Sequence, residues 1–304
     1  MMVQHKLIWP QAGHYVVAVS GGVDSMALLD LLATHPDAKK WQLEVAHFNH
    51  GWTEVAGKYV EVARAAAKKY DLPFHEGSEK VAANEADARK ARYSWLRKVV
   101  RSTGARAILT AHHQDDLIET IVLNLQRGTG RRGLTPFSST PDVLRPLAGV
   151  SKAELIDYAR RRQLPWVEDK TNTDTRFRRN AVREELLPQL RQSNPEFDRQ
   201  LREVTEEAAA LNAEIDRALV DLITKGEGSA SVAVGVLRRM PLATLAEMLV
   251  MMANVARPGT ELDRRTVEAL AVDIKTGRNF ASRQLTKRLF ASRSHDTVSI
   301  AFTP

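Results

Sequence analysis

The fold class that this sequence predicts is α/β: a parallel, doubly wound sheet domain of Rossmann type, followed by a smaller, mainly α-helical C-terminal domain. Three observations carry that expectation. Short apolar runs alternate with helical patterns through the first half of the chain, strand signals thin out beyond Val150, and a long amphipathic seam follows. With 304 residues, 43% hydrophobic and 27% charged, the chain can bury one substantial core and a second, smaller one.

Taken in order, residues 15–19, 43–48 and 107–111 read as buried strands, and residues 25–32, 54–70, 84–101 and 117–126 as helices. Such alternation builds βαβ units, with helices on both faces of a parallel sheet and a ligand crevice at the carboxyl ends of the strands. Function is therefore expected in the loops that follow the strands. In the segment 195–226, Phe197, Leu201, Val204, Ala208, Leu211, Ile215 and Leu219 recur at spacings of mostly three and four, the seam of a long amphipathic helix. The division that follows is an α/β sheet domain over 1–192, a bridging helix over 193–226 and a small α-rich domain over 227–304, closing in a short strand at 297–302.

Composition narrows the partners. Lys and Arg number 44 against 37 Asp and Glu, and the net charge of +7 favours an anionic partner. Cysteine is absent, which excludes disulfides, thiolate nucleophiles, persulfide carriers and thiolate-held metal clusters. The N-terminal residues lack a basic-then-apolar signal pattern, so a cytoplasmic protein is expected. The most apolar later stretch, LAEMLVMMANVA at 245–256, is short and interrupted by Glu247 and Asn254, and reads as a core helix rather than a membrane span.

The stretch SGGVDS, Ser20, Gly21, Gly22, Val23, Asp24 and Ser25, stands between the first strand and the first helix. Backbone N–H groups gathered at a helix N-terminus suit phosphate oxygens, and glycines allow close approach. The lysine of the common nucleoside-triphosphatase loop is missing, and Asp24 stands there instead. A carboxylate beside a triphosphate makes sense with a Mg²⁺ between them, which names Asp24 as the metal residue.

These residues, with four further blocks, resemble the PP-loop ATP pyrophosphatases and, within them, the tRNA(Ile)-lysidine synthetases in a short form. The blocks are ARYSWL at 91–96, AHHQDDLIETIVLNLQRGTGRRGL at 111–134, RPL at 145–147 and EDKTNTDTRFRRNAVREELLPQL at 168–190. The stretch AHFNHGWTEVAGKY is similar to another family block but carries Trp52 and Thr53 where Leu and Arg are usual. The resemblance implies ATP as co-substrate with Mg²⁺, free L-lysine and a minor tRNA-Ile with a CAU anticodon as substrates, and no membrane partner; a homodimer is compatible with it. It implies adenylation of C2 of the wobble cytidine, followed by attack of the lysine ε-amine. The related tRNA cytidine thiolases share the first two of these blocks, but their sulfur chemistry uses cysteines, which this chain lacks. From the residues alone two other classes stay open: an ATP-dependent amidating enzyme fed by a separate glutaminase, and a non-catalytic nucleotide- or RNA-binding module.

The candidate catalytic residues are then Asp24, Arg92, Asp116, Glu119 and Arg179. In the helix over 117–126, Leu117, Ile118, Ile121, Val122 and Leu125 form one stripe, and Asp116 and Glu119 look the other way, a pair suited to bind an ammonium, to hold a Mg²⁺ or to stand solvated; the resemblance implies the first, with lysine as the ammonium. Arg131 and Arg132, among Gly128, Gly130 and Gly133, read as a flexible basic loop against tRNA phosphates. Arg92 and Arg179 are taken from the family blocks, and a guanidinium fork suits a phosphate or a carboxylate. His112 and His113 read as structural packing.

Overall fold

The computed structural model of the chain describes residues 3–49, 56–79, 85–138, 142–168, 178–260, 262–278 and 280–303. Trp52, Thr53, the first residues of the helices expected from 54 and from 84, and residues 169–177 of the fourth block lie outside them. The chain divides into two compact units, Met1–Thr205 and Glu206–Pro304.

In the first unit the elements run β1 (Gly13–Ala18), α1 (Val23–Ala33), β2 (Trp41–Asn49), α2 (Ala56–Lys69), β3 (Phe74–Ser78), α3 (Glu85–Thr103), β4 (Ala107–Leu109), α4 (Gln114–Gln126), β5 (Val143–Leu144) and α5 (Lys152–Arg161). The sheet is parallel throughout, in the order β3-β2-β1-β4-β5. The period-two alternation of its strands sends side chains to both faces. Tyr15, Val17, Leu43, Val45 and Leu109 enter one core with Leu28, Leu32, Ala63 and Leu155, while Val16, Ala46 and Ile108 pack against Tyr93, Leu96 and Val99 of α3. Winding reverses between β1 and β4, so the loops after these two strands part and leave a crevice at their carboxyl ends.

Two strands were not legible in the sequence. β3, FHEGS, has one large apolar residue, and β5 is two residues long. Both are edge strands, paired on one side, and carry little of the apolar signal of a buried strand. Beyond α5, α6 (Arg178–Ala181) passes through one π-helical turn at Val182–Leu186 into α7 (Leu187–Ser193). Val182 and Leu187 pack against Ile118 and Val122 of α4, which holds this segment beside the crevice.

The helix α8 (Phe197–Val220) carries the amphipathic seam, and the division between the units falls inside it, between Thr205 and Glu206. It is shorter at both ends than the expected 193–226; Thr224–Gly226 is already strand. The second unit continues with β6 (Thr224–Gly226), β7 (Ser229–Ala233), α9 (Val234–Arg239), α10 (Leu242–Ala256), α11 (Arg264–Thr276), β8 (Arg283–Thr286), β9 (Leu289–Arg293) and β10 (Thr297–Phe302). Beside its helices it therefore contains a five-stranded antiparallel sheet, in the order β6-β7-β10-β9-β8, of which only the last strand was foreseen. The sheet's short strands give too few residues for alternation to stand out. Leu245, Met248, Leu249 and Met252 of α10 are buried against Val298 and Ile300, as a core helix requires. Among the described residues no helix is long and apolar enough to cross a membrane.

Candidate active site

The first wall of the crevice is the turn between β1 and α1. Gly21 has φ +89°, and a Cβ there would lie 2.8 Å from the carbonyl oxygen of Tyr59, so both backbone angle and space demand glycine. Ser25, in the first turn of α1, folds back on the loop. Its Oγ accepts the N–H groups of Ser20 and Gly21, each at 3.2 Å, and donates to the carbonyl of Gly22 at 2.9 Å. The turn is thus pre-shaped at the positive end of a helix, where an anion is favoured. The carboxylate of Asp24, on the same turn of α1, takes two bonds of 2.7 Å from the ammonium of Lys152, the first residue of α5.

A cleft of about 400 Å³ opens here. It is lined by Ser20, Asp24 and Ser25 of the turn, by Ala46 and Phe48 of β2, by Thr110, Ala111 and His112 after β4, and by Asp116 and Arg179. Ala88, Arg92 and Leu96, spaced by four along α3, present one helical face to it, with Arg89 beside them. A lining that mixes apolar groups (Ala46, Phe48, Ala88, Leu96) with phosphate-seeking ones (the Ser20–Ser25 turn, Arg92) suits a nucleotide-sized ligand.

A further part of the lining belongs to an ion cluster. Arg179 donates from Nε to Glu119 at 2.8 Å and from Nη2 to Asp116 at 2.8 Å. Arg183 donates to both oxygens of Glu119, at 2.6 and 3.0 Å. Glu119 is fully buried and its oxygens are occupied by the two guanidiniums, whereas Asp116 keeps some exposure and reaches the cleft. Burial pushes the Asp116 carboxyl up, but His113, Arg179 and the His113 backbone N–H at 3.1 Å outweigh it and hold the group below the ordinary carboxylate range. His113, itself buried, has Nε2 at 3.5 Å from Asp116 and 3.9 Å from Asp24. His112 bonds Thr110 through Nδ1 at 2.8 Å, and burial pushes its imidazole down to about 3, which keeps it neutral.

The model of a PP-loop domain family matches residues 2–190, more than half of the chain. The chain belongs to the PP-loop family. Among curated proteins it is similar to the tRNA(Ile)-lysidine synthase of a Synechococcus strain, 37% identical over 67% of this chain and 65% of that one. The protein of the same name from Geobacter sulfurreducens is 35% identical over 78% of this chain and 54% of its own length, and that from Enterococcus faecalis 38% over 62% and 43%. The chain spans less than two thirds of the length of these relatives. Its fold also matches a U34-tRNA thiolase, NcsA, from Methanococcus maripaludis, with a TM-score of 0.57 at 14% identity over 67% of this chain and 76% of that one.

Of the residues singled out from the sequence, Ser20, Asp24, Ser25, Arg92, Asp116 and Arg179 all line the PP-loop cleft, and Gly21, Gly22 and Val23 complete its turn. Glu119 lies behind Asp116 rather than on the surface of the cleft. Arg131 and Arg132 do not line it; they sit in a 3-10 turn, Arg131–Leu134, whose Gly133 carbonyl accepts the Asn124 side chain at 3.0 Å. The expected flexible loop is therefore a pinned turn, with Arg132 exposed and Arg131 half-buried. Three participants were missed. Arg183 follows Arg179 by four residues, a same-face spacing that was available to the eye. His113, which reads as packing in the sequence, stands among Asp24, Asp115 and Asp116. Lys152 comes from a helix far along the chain, and no local pattern connects it to Asp24.

Proposed function

We propose that this PP-loop chain joins free lysine to C2 of the wobble cytidine of a minor tRNA-Ile with a CAU anticodon, forming lysidine with release of AMP and pyrophosphate. The observation that carries the reading is that one cleft brings together a phosphate-type turn and an acidic residue, Asp116, held by the Arg179 guanidinium, in a chain whose curated relatives are named tRNA(Ile)-lysidine synthase.

In this reading the Ser20–Ser25 turn receives the ATP phosphates, and Asp24 faces them. Among the described residues no set of three acidic or histidine side chains is arranged to hold a metal by itself. A Mg²⁺ ordinarily takes one or two carboxylates and completes its shell from phosphates and water, and Asp24 already holds a cation, the Lys152 ammonium, on both oxygens; the residues therefore fit a Mg²⁺ arriving with ATP. Such an ion supplies charge neutralisation at the triphosphate. The cytidine O2 attacks the α-phosphorus and pyrophosphate leaves; the lysine ε-amine then attacks C2, the C2–O2 bond breaks, and AMP carries the oxygen away. Free lysine is an ammonium with pKa ~10.4, so roughly one molecule in a thousand is nucleophilic near neutral pH. Asp116, ionised and open to the cleft, attracts that cation, and the free-amine fraction attacks; the proton that the nitrogen sheds as it bonds to C2 can pass to this carboxylate or to water. Glu119 acts behind it, fixing Arg179 against Asp116, and Arg92 and Arg179 offer guanidiniums to the developing phosphate charge. In this reading residues 1–192 form the catalytic part, the helical stretch within 193–226 the bridge, and tRNA is contacted separately by Arg131 and Arg132 and by the part 227–304. One chain supplies every residue named, and a homodimer would add none of them.

The test is incubation with ATP, labelled lysine and total tRNA. Lysine-bearing tRNA with stoichiometric AMP is the expected result; AMP released without label entering tRNA would overturn the reading. Because phosphate contacts release counterions, tRNA affinity should fall steeply with salt, and Arg132→Ala should weaken it while leaving ATP affinity unchanged.

A further inference from the structure

The geometry points to Lys152 as the phosphate-binding cation of this PP-loop, supplied from α5 in place of the lysine that its turn lacks; this rests on the ATP reading above. The loop joining β1 to α1 is built for an anion but contains no basic residue between Ser20 and Ser25. Lys152 fills the gap from 128 residues away, with Nζ at 2.7 Å from both oxygens of Asp24. Its backbone is fixed as well, since its N–H donates to Asp115 at 2.8 Å and Ser151 caps α5 with Glu154. Asp115 is further tied by Arg191 at 2.9 Å, so the start of α5 is anchored to the start of α4 beside the cleft.

The placement runs against helix electrostatics. A cation in the first turn of a helix meets the positive end of the macrodipole, where an acidic residue is normally preferred. A lysine there needs an anion, and without ATP Asp24 is that anion. A metal-bound triphosphate at the turn would bring a second cation to Asp24, and an ammonium freed from that carboxylate would have the phosphates within reach of its flexible stem. Its side chain is 40% exposed, so it can swing without disturbing the core. Lys152 would thus neutralise Asp24 in the empty cleft and bind phosphate in the filled one.

The test compares binding of ATP and of adenosine, without tRNA or lysine, to the wild-type chain and to Lys152→Met, Lys152→Arg, Asp24→Asn and the Asp24→Asn/Lys152→Met double variant, each first checked for a wild-type melting curve. Lys152→Met should weaken ATP about tenfold, the loss of one charge-assisted phosphate contact, and leave adenosine unchanged, with Lys152→Arg restoring part of the loss. The same loss should appear when Lys152→Met is added to Asp24→Asn. If it vanishes there, Lys152 serves only to neutralise Asp24 and the proposal fails. Equal weakening of ATP and adenosine, or no weakening of ATP, also overturns it. A wild-type chain that binds ATP no better than adenosine sinks this inference and the ATP reading together, whereas normal ATP binding without lysine transfer to tRNA sinks only the function proposed above.

Discussion

Two carboxylates of the first unit, Asp30 and Glu119, are completely buried, and each is surrounded by cationic or hydroxyl donors in a different way. Asp30, in the middle of α1, accepts the phenol O–H groups of Tyr70 and Tyr158 and the guanidinium Nε of Arg162 at 2.9 Å. These donors come from the residue that follows α2, from α5 and from the turn after α5, so the cluster closes on itself and ties these segments to α1 without touching the cleft. Glu119 faces two guanidiniums, and one of them, Arg179, continues to Asp116 on the cleft wall. A buried charge is tolerated only when its lone pairs are met. At Asp30 that requirement ends in a lock, whereas at Glu119 it extends into an oriented pair of charges at the surface where a ligand would sit.

The largest break in the comparison is Asp30→Ala. It leaves two phenols and a guanidinium without their acceptor, and about 3–5 kcal/mol of stability should be lost. Folded protein that remains should keep the wild-type affinity for ATP. Urea unfolding and ATP titration on the same preparation check both halves, and a parallel loss of ATP affinity would mean that the lock reaches the cleft after all.

Glu119→Gln should cost less, about 2–3 kcal/mol, because an amide still accepts one of the hydrogen bonds while two guanidiniums face a neutral group. Its functional effect should be the greater. With Arg179 no longer anchored, the apparent KM for lysine should rise, while tRNA-dependent exchange of labelled pyrophosphate into ATP persists. Loss of exchange with an unchanged lysine requirement would move Glu119 to the ATP side of the reaction.

The same contrast explains what could be read in advance. The turn, its glycines and the strands on either side were legible because they are local: Gly21 needs its positive φ, and β1, β2 and β4 are runs of buried apolar residues. Asp116 was legible from helix periodicity, being opposite the Ile118, Ile121 and Val122 stripe. What escaped was pairing across distance. The Lys152–Asp24 and Arg179–Glu119 contacts join residues 128 and 60 apart, and a lysine or arginine in a helix looks the same in sequence whether it is solvated or buried against a carboxylate. The antiparallel sheet of the second unit escaped for a related reason, since its strands pair through backbone groups that no side-chain pattern records.

Arg179 and Arg183 sharpen the comparison within a single cluster. Both hold Glu119, but only Arg179 lines the cleft. Arg183 is about a third exposed, so its pairing is partly screened, and Arg183→Met should cost about 1–2 kcal/mol with little change in nucleotide affinity. Arg179→Met should show a similar loss of stability and also weaken ATP or slow pyrophosphate exchange. Equal functional effects from both variants would show that the cluster acts only by rigidity.

The smallest effect at neutral pH is expected from His112→Gln, and it appears on acidification. Burial pushes the imidazole of His112 down to about 3, against about 6.5 in an unfolded chain. Between those values the unfolded state binds a proton that the folded state refuses, so stability falls as pH falls, by about 1.4 kcal/mol per unit from this group. Asp30 and Asp116 also lie below the ordinary carboxylate value, and their contribution is intact above about pH 4 and lost only as pH drops through their folded values. The two kinds of buried group therefore act in separate windows. Glutamine at 112 can still bond Thr110 but cannot titrate, so the variant should unfold in urea like wild type near pH 7 and lose less stability than wild type between about pH 6 and pH 4. Both should then descend together at lower pH, where the carboxylates protonate. Curves that stay parallel from pH 7 to about pH 4 would mean that His112 is protonated in the folded state, and that the cleft carries one more positive charge than its burial allows.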